Sequence, residues 1–413
     1  NAFILLRVIR SIKPMHTKQE KDGAEYQKQL HARDLYEKGI RLSMVKPNKP
    51  NLKKAVAYFT QAADLGHINA NFIIGDAFCK GKWHTELEYT DALKYLDTAA
   101  NHNHPEAMIG FADMHHKSGN LFESLDKYFL ALTHGNQSAI DRIQKLIDNP
   151  IGQNYLSNLF EREEKTQEPM VQFLIGRCYL HGFCTEPNLE RAIGWLKEAV
   201  RSNSAFAAHT LGYLYETGNG VNKDIDMAID LYKIAGERGF SKGYLSIAIY
   251  FSQRINEPHM AKTNLQTAFE YYKKAAELGD LVADNEMGIL HIQGFEFGFP
   301  NYADAAACFQ VGADKGNPDA ILNLANCYYS GVGVQRDLMK AENYFSLLLS
   351  HEGDLAAQAA YGLGAIYTQN IQKRIRKVGR SYLEAAAKAG IRDAKDLLNK
   401  SFGNKNKAKR KVA

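Results

Sequence analysis

Cys178, His181 and Cys184 stand three residues apart, a spacing at which two thiolates and an imidazole could face one metal ion. Structural zinc needs four ligands, and no second pair at matching spacing lies nearby. Cys178 also falls beside Tyr179 on an apolar helical stripe, so the segment reads as structural and no metal is assigned. A second group, His102, His104, His115, His116 and His134, has the side chain best suited to proton transfer near neutral pH. Most of these fall in turns or on polar helix faces, and no partnered carboxylate is evident among them. Paired glycines such as Gly218/Gly220 and Gly331/Gly333 could cradle phosphate, but they recur once per repeat and are structural. No G-x-x-x-x-G-K-[ST], G-x-S-x-G or H-E-x-x-H occurs. The expectation is a chain without catalytic residues or cofactor.

The 413 residues carry a net charge of +5, and its location matters more than its size. Lys400, Lys405, Lys407, Lys409, Arg410 and Lys411 account for six basic groups in the last fourteen residues, without an acid. Subtracting them from 51 leaves 45 basic against 46 acidic residues, a near-neutral body. A nucleic-acid binder carries its basic charge over the folded face, so no nucleic-acid partner is expected there. The tail itself reads as an address, a contact or solvated disorder. Five scattered cysteines argue against a disulfide framework and favour a reducing compartment, the cytoplasm or a host cytosol. No stretch approaches the length of apolar sequence that crosses a bilayer, so a soluble chain is expected. Residues 1–24 read as an N-terminal arm. Its first fourteen residues are non-native, an upstream read-through or an amphipathic arm.

What must position any site is a repeat. Glycines that end helices recur at Gly239, Gly279, Gly316, Gly353 and Gly390, at intervals of 40, 37, 37 and 37 residues. The clearest unit, Ser204–Gly239, sets Leu211, Leu214 and Tyr215 on one helical stripe. Gly212 sits inside that helix, where close approach of a neighbouring helix compensates its cost of about 1 kcal/mol relative to Ala. Gly218 and Gly220 break the helix, and Asp224 is placed to cap the next one. That second helix is expected to bury Ala228, Ile229, Tyr232 and Ala235.

These residues resemble the Sel1-like repeat, a relative of the tetratricopeptide repeat. Leu211, Gly212, Tyr215, Gly218, Gly220, Val221, Asp224, Ala228, Tyr232 and Gly239 match its pattern. Related residues recur over roughly 25–390. The resemblance implies an all-α fold: a right-handed α/α solenoid (superhelix) of about ten helix–turn–helix repeats. It also implies a scaffold or adaptor, with bacterial interaction with a host cell as one setting. Some members have been linked to hydrolysis of cell-wall or β-lactam substrates. The cysteine-rich members pair cysteines within each unit, whereas here they are scattered, so the hydrolase is the alternative.

Departures from the pattern divide the chain into 25–135, a degenerate helical unit at 136–168, repeats at 169–390, and a capping helix with basic tail at 391–413. The degenerate unit is where a bend or break is expected. The unit Phe240–Gly279 has lost its turn glycines and places Pro258 in a longer loop. A lengthened loop from Lys46 to Pro50 suggests an N-terminal cap. The segment Gly294–Pro300 (GFEFGFP) either protrudes as a docking element or tucks its rings inward, with burial favoured. By analogy with tetratricopeptide units, a partner peptide or helix would lie on the concave wall of first helices. That assigns Arg177 and His181, then His209, Tyr213 and Glu216, then Asn285, Ile289 and Gln293, and finally Asn326 and Tyr329. The oligomeric state is not readable.

Overall fold

A computed structural model describes residues 27–402 apart from 44–48, 81–88, 103, 135, 137, 149–151, 153, 255–257, 296–297, 350, 352 and 370–371. The readings of residues 1–24, of the tail beyond Phe402 and of most of the Lys46–Pro50 loop lie outside the described residues. Among the described residues the regular elements are all α-helices. The chain forms two compact units, divided between Ala99 and Ala100.

The first unit contains α1 (27–43), α2 (Lys49–Asp64), α3 (Ile68–Cys79) and most of α4 (Tyr89–Asn101). Tyr36 of α1 is its hinge-pin. The ring stacks on His67 at 4.2 Å and tilts against Phe59 at 5.9 Å, while its hydroxyl accepts from Asn69 Nδ2 at 2.8 Å. His67 is the N-cap of α3, its Nδ1 accepting from Ala70 N. Burial, followed by the charge of Arg33, lowers His67 to about 3. The capping nitrogen therefore keeps its lone pair at neutral pH.

The second unit runs through α5 (Pro105–Lys117), α6 (Leu121–Thr133), α7 (Ser138–Ile147), α8 (Tyr155–Thr166), α9 (Pro169–His181), α10 (Leu189–Arg201), α11 (Ala205–Thr217) and α12 (Ile225–Glu237). It continues with α13 (Ser241–Ser252), α14 (Pro258–Glu277), α15 (Ala283–Gln293), α16 (Tyr302–Lys315), α17 (Pro318–Ser330), α18 (Leu338–Leu348), α19 (Asp354–Thr368), α20 (Lys373–Lys388) and α21 (Arg392–Phe402). From α8 to α21 each helix packs against the next, and first helices also meet one another, as α17 meets α19. Within this unit that is the packing order of an α/α solenoid: helix pairs from α5/α6 to α19/α20, closed by α21.

The pair α11/α12 behaves as its residues dictate. Ser204 Oγ accepts from Ala207 N, and Asp224 accepts from Met227 N at 3.0 Å, each satisfying an amide that the helix cannot. Asn188, Asn301, Asn317 and Asp337 repeat the device at α10, α16, α17 and α18. Gly218 closes α11 at φ +73°. A Cβ on Gly212 would stand 2.9 Å from the Tyr232 ring and 3.2 Å from Ala228 O, so the helices approach where no side chain intervenes. Ala228, Leu231, Tyr232 and Ala235 are buried, and Ile229 is partly buried.

Two expectations change. One apolar core extends from Met108 in α5 to Leu231 in α12, passing through Ile143 and Leu146 of α7 and Tyr155 and Leu159 of α8. Segment 136–168 lacks the glycine turn but keeps its apolar faces. Tyr155 stacks on Phe129 at 5.7 Å and donates to Asp126 at 2.6 Å, so the core does not break there. The division lies earlier, at Ala99/Ala100. Pro258 opens α14 instead of lying in the loop; a first-turn position suits a residue with fixed φ and no N–H.

Candidate functional site

The ten wall residues fall into three environments. His181, Tyr213, Gln293 and Asn326 are exposed, Tyr213 by 54%. His209, Glu216, Ile289 and Tyr329 are half-buried. Arg177 and Asn285 are buried, at 8% and 4% exposure, and so lie beneath the wall instead of on it.

Each half-buried polar group already has a partner. Glu216 Oε2 accepts from Tyr232 OH at 2.5 Å, linking α11 to α12. His209 Nε2 lies 3.1 Å from Ser246 Oγ of α13, and its ring meets Phe240 edge-on at 5.2 Å. Burial, then the charges of Lys242, Arg177 and His134, lowers His209 to about 3. Tyr329 OH accepts from Gln369 Nε2 at 3.2 Å, and Asn285 Oδ1 accepts from Asn323 Nδ2 at 2.9 Å. These groups set the register between helices, which uses their hydrogen-bonding capacity.

Arg177 differs. Its Cζ lies 6.0 Å from the Phe173 ring, and its Nε has no hydrogen-bond partner among the described residues. Burial lowers its pKa to about 10. It remains a cation at neutral pH, and no carboxylate among the described residues pairs with it.

The register position after the small residue is open on α11 and α13, although Arg177 after Gly176 is buried on α9. Tyr213 follows Gly212 on α11 and Ile249 follows Ala248 on α13; these apolar side chains are 54% and 36% exposed. The next counterparts are Ile289 after Gly288 and Asn326 after Ala325. Ile249 was not among the expected wall residues. Its signal was Ala248, a small residue that takes the glycine's place in a unit whose turn glycines are lost.

The Cys178–His181–Cys184 segment is split by its own fold. Cys178 is buried, with its thiol pushed well up by burial, while Cys184 adopts φ +58° and its Sγ donates to Gly152 O at 3.3 Å. No group of three or more metal-ligating side chains gathers among the described residues. All five cysteines are free thiols. In the GFEFGFP loop, Phe295 is buried and stacks on Phe269 at 4.5 Å, whereas Phe299 is 63% exposed. The loop thus buries one ring and exposes another; Phe297 lies outside the described residues. Among the described residues no helix is long and apolar enough to cross a membrane.

Comparison with known proteins follows from this architecture. The Sel1 repeat model matches residues 30–67, 68–104, 169–204, 205–240, 258–280, 282–317 and 318–348. An uncharacterized protein of Neisseria meningitidis is 22% identical over 306 residues, or 71% of this chain and 61% of that protein. An ERAD-associated E3 ubiquitin-protein ligase component of Candida glabrata is 25% identical over 134 residues, 32% of this chain and 16% of that protein. The chain therefore spans less than two thirds of either relative's length. A solved protective antigen of uropathogenic Escherichia coli with the SLR fold is 20% identical, covering 96% of this chain and 91% of that one at a TM-score of 0.45.

Proposed function

Because the chain belongs to the Sel1 repeat family, we propose that it is a protein–protein interaction scaffold that holds a partner peptide or helix along the concave face of its first helices. Sel1 repeat proteins act as interaction scaffolds, and the Candida glabrata relative is by its name one component of a ligase. The observation that carries the reading is the open register position. Tyr213 and Ile249 present apolar surface to solvent from consecutive first helices, while their polar neighbours are tied within the fold. Apolar and aromatic anchors of this kind dominate binding energy at interfaces. Covering the exposed part of Tyr213 is worth about 1.5 kcal/mol, or roughly tenfold in affinity.

A non-catalytic role is favoured by the same geometry. His209, Glu216 and Tyr329 face a hydroxyl, a phenol and an amide that fix helix register, an arrangement that positions helices and not a reacting group.

Pull-down from lysate tests the reading with Tyr213→Ala, Ile249→Ala and their combination. Partner recovery is expected to fall about tenfold for Tyr213→Ala and further for the pair, with the thermal melt unchanged. Equal recovery by the double variant and the parent chain would reject the wall as the binding surface.

A further inference from the structure

The first helices α9, α11 and α13 begin side by side around a cavity of about 450 Å³, lined by His134, Glu168, Met170, Phe206, Arg238 and Phe240 among others. Helix N-termini present unsatisfied amides and the positive end of the helix dipole. Ser204 caps α11, but α9, after Glu168, and α13, after Phe240, have no side-chain cap. His134, only 7% exposed, contributes its ring to the lining, and its Nδ1 has no hydrogen-bond partner among the described residues. That ring meets Phe240 edge-on at 5.1 Å and Phe206 at 5.9 Å, and the two phenylalanines meet at 4.8 Å. The lining therefore sets aromatic rings beside the Arg238 side chain.

Arg238 supplies the charge. Its Nη1 donates to Val200 O at 2.9 Å and Ser204 O at 3.4 Å, clasping the end of α10. No carboxylate among the described residues pairs with it. The same register two pairs later shows what the position does when its charge is balanced internally. Lys315, which like Arg238 precedes a helix-ending glycine, donates to Ala276 O at 3.3 Å and pairs with Asp284 at 2.5 Å. Asp284 stands four residues before Gly288; four residues before Gly212 stands Ala208. The repeat at Arg238 keeps the clasp and lacks the acid.

We propose that this cavity receives the free C-terminal carboxylate of a partner peptide whose last side chain is apolar. The carboxylate meets Arg238, and the side chain covers Phe206 and Met170. Glu168, exposed at the rim, disfavours a run of phosphates and leaves room for a single anion with an apolar body. The proposal rests on the scaffold reading above and names one chemical feature of the partner.

The test uses the full chain on arrays of random decapeptides ending in Leu or Phe, each synthesised as the free acid and as the C-terminal amide. Binders are expected among the acids, with amidation weakening them by about tenfold or more, the loss of one charge-assisted contact. Arg238→Gln retains an amide donor for Val200 O and should abolish the acid preference, with folding checked by circular dichroism. Tyr213→Ala should weaken acids and amides equally. Equal binding of acids and amides, an absence of binders in both forms, or an acid preference that survives Arg238→Gln would overturn the proposal. So would full displacement of the peptides by N-acetyl-leucine, which would assign the cavity to a small carboxylate. Loss of partner recovery in Tyr213→Ala without any acid preference leaves the scaffold reading standing and removes this one.

Discussion

The wall around α9–α13 and the wall around α15–α19 are built on the same repeat and differ in how completely their polar groups are paired within the fold. In the later stretch Lys315 meets Asp284, Asn323 meets Asn285, and Gln369 meets Tyr329. In the earlier stretch Arg177 and Arg238 have no carboxylate partner among the described residues, and His134 keeps an unpartnered ring nitrogen. The repeat thus fixes where a polar group stands, while one neighbouring residue decides whether its charge is balanced within the fold. Asp284 against Ala208 is that decision in its smallest form.

If the later stretch is tied by its own charges, removing one partner must cost most there. Asp284→Ala leaves the Lys315 ammonium, 17% exposed, without its acid, and should destabilise the protein by about 3 kcal/mol in urea unfolding. A loss below 1 kcal/mol would erase the contrast. The second largest effect is set by pH. Burial, together with Lys242's charge, lowers His134 to about 4, against an ordinary value near 6.5. The folded state thus holds it neutral while the unfolded chain takes up a proton. Stability from this group is complete above about pH 6.5 and falls as pH drops toward 4. Between pH 7.5 and 5 the loss is about 2 kcal/mol. His134→Phe should flatten that part of the curve, and an unchanged slope would show that another group sets it.

Arg177→Met should move stability the other way. It replaces a buried, unpaired cation with an apolar side chain of similar length, so the fold should hold or gain about 1 kcal/mol. A comparable loss would mean that Arg177 is tied after all. The smallest effect belongs to Gln369→Ala, which removes an exposed hydrogen bond to Tyr329 at a cost near 0.5 kcal/mol.

The sequence was most legible where one residue type answers one local demand. Gly218 at positive φ, Asp224 as a cap, and Gly212 as a point of close helix approach were each readable from spacing alone. The burial of Arg177 was not, because a helical stripe records which way a residue faces and not what the next helix lays over it. The continuity of the core through α7 and α8 was hidden for a related reason. The glycine turn marks a repeat, but Tyr155 and Leu159 fill the interior without one. The cavity at the helix N-termini was least visible. His134, Glu168, Phe206, Arg238 and Phe240 come from separate turns, each an ordinary cap or loop residue by itself.

The clasps of Arg238 on Val200 O and of Lys315 on Ala276 O join each pair to the one before it. Under tension applied along the chain, such ties lie in series and each carries the full load. The weakest gives way first and releases one pair of helices while its neighbours stay packed. A chain pulled between two anchored partners would lengthen in discrete steps of one repeat. The Lys315 clasp, reinforced by Asp284, would outlast the one at Arg238 unless a bound carboxylate strengthened the latter.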